Sequence, residues 1–91
     1  MSKLIEQVAK EICLKYDTTI FSSGDLDILH EIYDECVKRG MKPVKFNHPS
    51  NVLQRIRNGL RSNIYFDRFV CGESILRRVT FYQLKETFNE D

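Results

Sequence analysis

The chain has 91 residues, of which 42% are hydrophobic and 30% are charged, and its formal net charge is +1. This length predicts one domain, with a core too small to enclose a cofactor, so we expect no cofactor. No apolar run approaches the ~20 residues of a membrane-spanning helix, and we expect no contact with a membrane.

The first predicted element is an amphipathic helix over residues 3–16. Its apolar residues recur at steps of three and four positions, and charged residues, Glu6 among them, lie in between. This pattern is typical of a helix that buries one face. This helix, with its acidic outer face and its Leu4–Ile5 end, is a predicted contact between two copies of the chain. Residues 17–21 are rich in β-branched side chains and predict a turn and a short extended piece.

A second helix is predicted over residues 23–39. Ser22 and Ser23 offer capping hydroxyls, and Asp25 and Asp27 suit the positive end of a helix. Gly40 is the expected residue in a left-handed conformation after the helix, because glycine adopts that conformation without a steric cost. A short connection with two prolines follows, and either Asn47 or Ser50 can cap the next helix.

The third predicted helix spans residues 50–62 and has two chemically distinct faces. At 100° per residue its apolar side chains fall within a third of the circumference. The opposite side has amides and arginines and no acid. Arg57 lies at the edge of the apolar stripe, which favours a structural role for it.

The remaining residues predict a two-stranded hairpin over residues 64–84. Two stretches rich in β-branched and aromatic residues flank a short segment that contains Gly72. A helical turn over residues 81–88 remains an alternative for the end of the chain. Five aromatic side chains are predicted to belong to the core: Tyr65, Phe66, Phe69, Phe81 and Tyr82. The same rings are also suited to stacking on single-stranded nucleic acid.

The small net charge conceals an uneven distribution along the sequence. Residues 1–37 have a balance of −5, and residues 67–91 have a balance of −1. Between them, residues 38–66 contain seven lysines and arginines and no acid, a balance of +7. This partition predicts one basic surface on an otherwise acidic body.

The order of predicted elements resembles that of winged helix-turn-helix domains. The stretch "SSGDLDIL" resembles the capped start of their second helix, and "HPSNVLQRIRNGLRSN" resembles their third, recognition helix. The stretch "IYFDRFVCGESILRRVTFYQL" would then form the wing. The resemblance implies an α+β fold of three helices followed by a two-stranded antiparallel hairpin, with a short extended piece between the first two helices. It also implies a duplex-DNA-binding protein, either a transcriptional regulator or the DNA-binding subunit of a larger assembly.

The resemblance directs attention to the polar face of the third helix. Arginine pairs with guanine, and asparagine and glutamine pair with adenine, at the edges of bases in the major groove. The candidates for base contacts are Asn51, Gln54, Arg55 and Asn58. Other cations and hydroxyls are candidates for the phosphate backbone. These backbone candidates are Lys42, Lys45, Arg61, Ser62, Arg77 and Arg78.

Two other functions remain open on the sequence alone. A protein-interaction module would use the basic strip to bind an acidic partner, and an RNA-binding module would expose aromatic rings on the hairpin. A homodimer and a protein partner are both compatible with the chain. We expect no enzyme, no small-molecule substrate and no metal, because neither a nucleophile with its base nor a metal-ligand cluster is evident.

The cysteines are odd in number and widely spaced, which favours three free thiols. The amino-terminal stretch lacks the pattern of a secretory signal, so we expect the protein in the cytosol or, in a eukaryote, the nucleus.

Overall fold

A computed structural model describes residues 2–45, 49–72 and 79–85. The described elements are the helices α1 (Ser2–Lys15), α2 (Leu26–Lys38) and α3 (Pro49–Gly59) and the strands β1 (Ile20–Ser22), β2 (Phe66–Cys71) and β3 (Val79–Leu84). A 3-10 turn, Leu60–Ser62, directly follows α3. The fold is therefore α+β, and the three predicted helices are confirmed.

The sheet has three antiparallel strands in the order β1-β3-β2, so the prediction of a two-stranded sheet is wrong. The hairpin itself is confirmed, with Phe66 opposite Leu84 at one end and Cys71 opposite Val79 at the other. The extended piece after α1 becomes β1, with Phe21 opposite Tyr82. Burial of the Phe21 ring brings this short segment to the edge of β3. The Phe21 ring meets that of Phe66 edge-on at a centroid distance of 5.5 Å.

One apolar core lies between the three helices and one face of the sheet. Ile5 of α1 is part of it and Leu4 packs against it, so both side chains serve the core. A contact between two copies of the chain through α1 stays a prediction. The other core residues include Val8, Ile12, Leu29, Ile32, Cys36, Ile56, Leu60, Phe66, Tyr82 and Leu84.

The second helix begins three residues later than predicted, because the serines and Asp25 form a turn of their own. The Ser22 amide donates to Asp25 Oδ2 at 2.7 Å, and the Gly24 amide donates to Ser22 Oγ at 3.1 Å. Asp25 precedes the helix without a capping side-chain hydrogen bond. The other end agrees with the prediction, since Gly40 has a φ of 107°.

Glu6 departs most clearly from its sequence pattern, because its side chain is fully buried. Its Oε1 accepts from the amides of Ile64, Tyr65 and Phe66 at 3.1, 2.8 and 3.2 Å. Its Oε2 also accepts from the Ile64 amide, at 3.2 Å. One carboxylate of α1 thus satisfies the backbone donors of the segment that enters β2, and it fixes the start of the hairpin.

Two further contacts set the arrangement of the helices. The Arg39 guanidinium donates to both carboxylate oxygens of Glu11, at 2.7 and 2.9 Å, and to Glu35 at 3.0 Å. This joins α1 to the end of α2. Gly59 permits a close approach of α3 to α1, because a Cβ there would overlap Ile5 Cδ1 and lie 2.9 Å from two other Ile5 carbons.

Candidate nucleic-acid interface

The third helix exposes its predicted polar face to solvent. Val52 and Ile56 are buried against the core, which turns the opposite side of α3 outward. Asn51, Gln54 and Asn58 are exposed there. Gln54 Nε2 donates to Asn58 Oδ1 at 2.9 Å. The two amides therefore form one hydrogen-bonding surface that still has free donor and acceptor positions.

Four base-contact candidates and one phosphate candidate line a single open depression of about 350 Å³. Its described lining contains two cations and three amides but no carboxylate. Acidic side chains would repel a polyanion, so this composition is suited to one. The lining residues are Val44, Lys45, Asn51, Gln54, Arg55 and Asn58.

The connection before α3 positions the first cations of this depression. Met41 is buried, and the Val44 amide donates to Tyr33 Oη at 3.0 Å. Lys42 and Lys45 are exposed on either side of Val44. Arg55 Nη1 donates to the Lys42 carbonyl at 3.3 Å, so the half-buried arginine lies against the connection. Lys42 thereby adjoins the depression without being part of its lining.

Arg57 has a structural contact, as expected from its place at the edge of the apolar stripe. Its Nη2 donates to the Ser23 carbonyl at 2.9 Å, and this bond joins α3 to the turn before α2. Its Nε is buried and has no hydrogen-bond partner among the described residues. The charge of Arg57 therefore remains uncompensated by an ion pair within the described chain.

The last two phosphate candidates of the third predicted helix lie in the 3-10 turn that follows α3, and they face solvent. Arg61 and Ser62 are both exposed. Ser62 Oγ donates to the Gly59 carbonyl at 2.8 Å, which uses its proton and leaves its oxygen able to accept. A phosphate, which also accepts, is therefore better matched by Arg61. Arg77 and Arg78, the wing candidates, lie outside the described residues.

One arginine outside the predicted candidates adds to the positive surface. Arg68 of β2 is exposed and lies opposite Tyr82 in the sheet register. It was overlooked because the segment that contains it has a slightly negative balance. Arg68 follows Phe66 by two residues, so strand alternation places it on the same side of β2 as that ring. This spacing is the sequence signal that could have identified it. Arg39, by contrast, is neutralised by two glutamates and adds nothing to the basic strip.

The aromatic residues divide between the two faces of the sheet, so the prediction that all five are core is wrong. Phe66 and Tyr82 are buried, and Tyr65 packs against the core. Phe69 is 39% exposed and stacks on the half-buried Phe81 with ring centroids 5.6 Å apart. Strand alternation places Phe69 and Phe81 on the outer face of the sheet, away from the helices. The side chains of the paired strand residues on that face are Ile20, Ser22, Asp67, Phe69, Cys71, Val79, Phe81 and Gln83.

Other chemistry is limited within the described part of the chain. No group of three histidines, cysteines or carboxylates there could hold a metal ion. All three cysteines are free. Burial raises the pKa of the Cys13 and Cys36 thiols to about 11, so neither is a reactive thiolate at neutral pH. None of the described helices combines the length and the apolarity needed to cross a membrane.

Comparison of the chain with protein-family models, with curated proteins and with solved structures finds no match.

Proposed function

We propose that the protein binds duplex DNA as a winged helix domain, with α3 as its recognition helix in the major groove. One observation supports this most strongly. Exposed amides and two cations share an open depression along α3, and none of the described residues in its lining is an acid. Amides and arginine match base edges in the major groove, and lysine matches phosphate.

The element order also supports this proposal. Helix, short strand, two helices and a hairpin follow one another as in the domains that the sequence resembles. The core side chains of α3 lie on the side away from the depression. Docking of α3 into a groove would therefore require no unfolding of the core. The protein would act as a transcriptional regulator or as the DNA-binding subunit of a larger assembly.

A titration of mixed-sequence duplex DNA at 50 to 200 mM salt, followed by fluorescence anisotropy, tests the proposal. If roughly six phosphates are neutralised, the affinity falls about a thousandfold over this range. Lys45→Gln should lower the slope of log K against log salt by about 1, because Lys45 is a phosphate candidate in the lining of the depression. Lys15→Gln is the matched control, because Lys15 lies in the separate cleft between α1 and α2 and pairs with Glu31.

Asn51→Ala separates base contacts from phosphate contacts. The variant should keep the salt slope of the parent and lose about 1–3 kcal/mol of discrimination between a selected duplex and its mutated forms. No binding at low salt, or an affinity independent of salt, would refute the proposal.

The outer face of the sheet favours a second candidate function, docking on a protein. The stacked rings of Phe69 and Phe81 are accessible there, and the acidic Asp67 lies on the same face. An apolar protein surface therefore suits it better than RNA. Under this candidate, Arg55→Glu with Asn51→Ala leaves DNA retention unchanged, whereas Phe69→Ser abolishes co-purification of a partner.

A further inference from the structure

The third helix has an arginine on each side of its exposed amides. Arg55 and Arg57 are two residues apart, so their side chains leave the helix about 200° apart. Their hydrogen bonds confirm the divergence, since Arg55 reaches the Lys42 carbonyl and Arg57 reaches the Ser23 carbonyl. These two carbonyls belong to different connections, one before α3 and one before α2.

The cations on the Arg55 side form the first of two groups, which we name the connection group. It consists of Lys42, Lys45 and Arg55. Lys45 and Arg55 line the same depression, and Arg55 is bonded to the backbone of Lys42. None of the described residues that line this depression is a carboxylate.

The second group begins with Arg57, whose contact places it beside the sheet. The Ser23 carbonyl accepts from Arg57, and the Ser23 amide donates to the Thr80 carbonyl at 2.8 Å. Thr80 belongs to β3, the central strand. Arg57 therefore extends from α3 towards β3, the central strand of the described sheet.

Two more arginines complete this second group, which we name the hairpin group: Arg57, Arg61 and Arg68. Arg61 is exposed directly after α3, and Arg68 lies opposite Tyr82 on the sheet face that packs on the helices. Burial raises the pKa of Tyr82, and the charges of Arg57, Arg68 and Arg61 all oppose that rise. The charges of all three arginines therefore act on the same buried phenol.

We infer that the two groups contact the two phosphate strands that border one major groove, one group on each strand. The inference rests on the proposed function. An α-helix about 10–12 Å across fits a major groove about 12 Å wide, which leaves a row of phosphates beside each flank of the helix. Arg55 of the connection group lies on one flank of α3 and Arg57 of the hairpin group lies on the other, with Asn51, Gln54 and Asn58 between them.

The test uses a duplex selected from a random pool by the protein itself. Uncharged methylphosphonates replace the phosphates of this duplex one position at a time, on each strand separately. The parent protein should lose affinity at two sets of positions, one on each strand. Lys45→Gln should remove the sensitivity at one position of one set, and Arg68→Gln should remove it at one position of the other set. Each variant should also lower the salt slope by about 1.

Both substitutions remove one charge from an exposed side chain, so they form a matched pair, and Lys15→Gln should leave both sets unchanged. Thermal melting checks that each variant is folded. If both variants desensitise the same strand, or if Arg68→Gln changes neither set, the inference is overturned while DNA binding stands. If the parent selects no duplex, the proposed function fails and the inference fails with it.

Discussion

Replacement of Glu6 should destabilise the protein far more than an exposed glutamate would. The buried carboxylate accepts from three backbone amides, those of Ile64, Tyr65 and Phe66. A hydrogen bond to a charged acceptor contributes about 1.5–3 kcal/mol, and one to a neutral acceptor contributes about 0.5–1.5 kcal/mol. Glu6→Gln therefore weakens three bonds by about 1 kcal/mol each and turns an amide NH₂ towards a backbone donor.

Glutamine is neutral, so the variant no longer buries a charge, and this gain offsets part of the lost hydrogen-bond energy. We expect Glu6→Gln to lower the free energy of unfolding by about 2 kcal/mol, and Glu6→Ala to lower it by about 3–5 kcal/mol. The alanine variant leaves the buried Phe66 amide without an acceptor, whereas the half-buried Ile64 and Tyr65 can turn to water.

Urea unfolding followed by circular dichroism measures these differences. At a typical slope for a small domain, a loss of 2 kcal/mol lowers the urea midpoint by about 1 M. Glu35→Gln is the control of identical chemistry, because its exposed ion pair with Arg39 contributes about 0–1 kcal/mol. Amide exchange at Ile64 and Phe66 should accelerate only in the Glu6 variants. A Glu6→Gln midpoint equal to that of the control would refute the assigned role of the carboxylate.

Three further predictions concern other parts of the fold. Gly59→Ala should destabilise by about 1–2 kcal/mol despite the better helix propensity of alanine, because the new methyl meets Ile5, and Ile5→Val should recover part of the loss in urea unfolding. The hydrogen bonds of Arg39 lower the pKa of Glu11 below 4.5, so this pair stabilises the fold above that pH and ceases to do so as pH falls through the lowered value. Arg39→Gln should return the Glu11 pKa towards 4.5 in an NMR titration. Cys71 should be the one thiol that reacts with a disulfide reagent at pH 8 in the folded protein, and all three should react after unfolding.

The helices could be predicted from sequence because their periodicity is local. The steps of three and four residues in each helix report directly which side is buried, and Gly40 marks the end of α2. Arg57 was also assigned correctly, since its angle on the helix wheel places it at the edge of the core. The amide face of α3 followed from the same geometry, which is why four predicted residues line one depression.

The errors arose where a position depends on distant parts of the chain. Phe69 and Phe66 look alike in sequence, and only the packing of the sheet on the helices decides which ring is covered. Glu6 occupies a polar position of its helix, but its partners lie nearly sixty residues away. The alignment of β1 with β3 is equally remote. Local patterns contain no information on such pairings, and so they gave a two-stranded sheet.

The central strand of the described sheet is also its last strand in sequence. Both β1 and β2 form their backbone hydrogen bonds with β3, Val79–Leu84. During synthesis, the helices can associate before this strand leaves the ribosome, but β1 and β2 must wait for it. In that interval Phe21 and Phe66 lack the cover of Tyr82 and Leu84. A nascent chain whose exposed part ends just before Val79 should therefore be prone to aggregation. Exposure of the six residues of β3 should end that vulnerability.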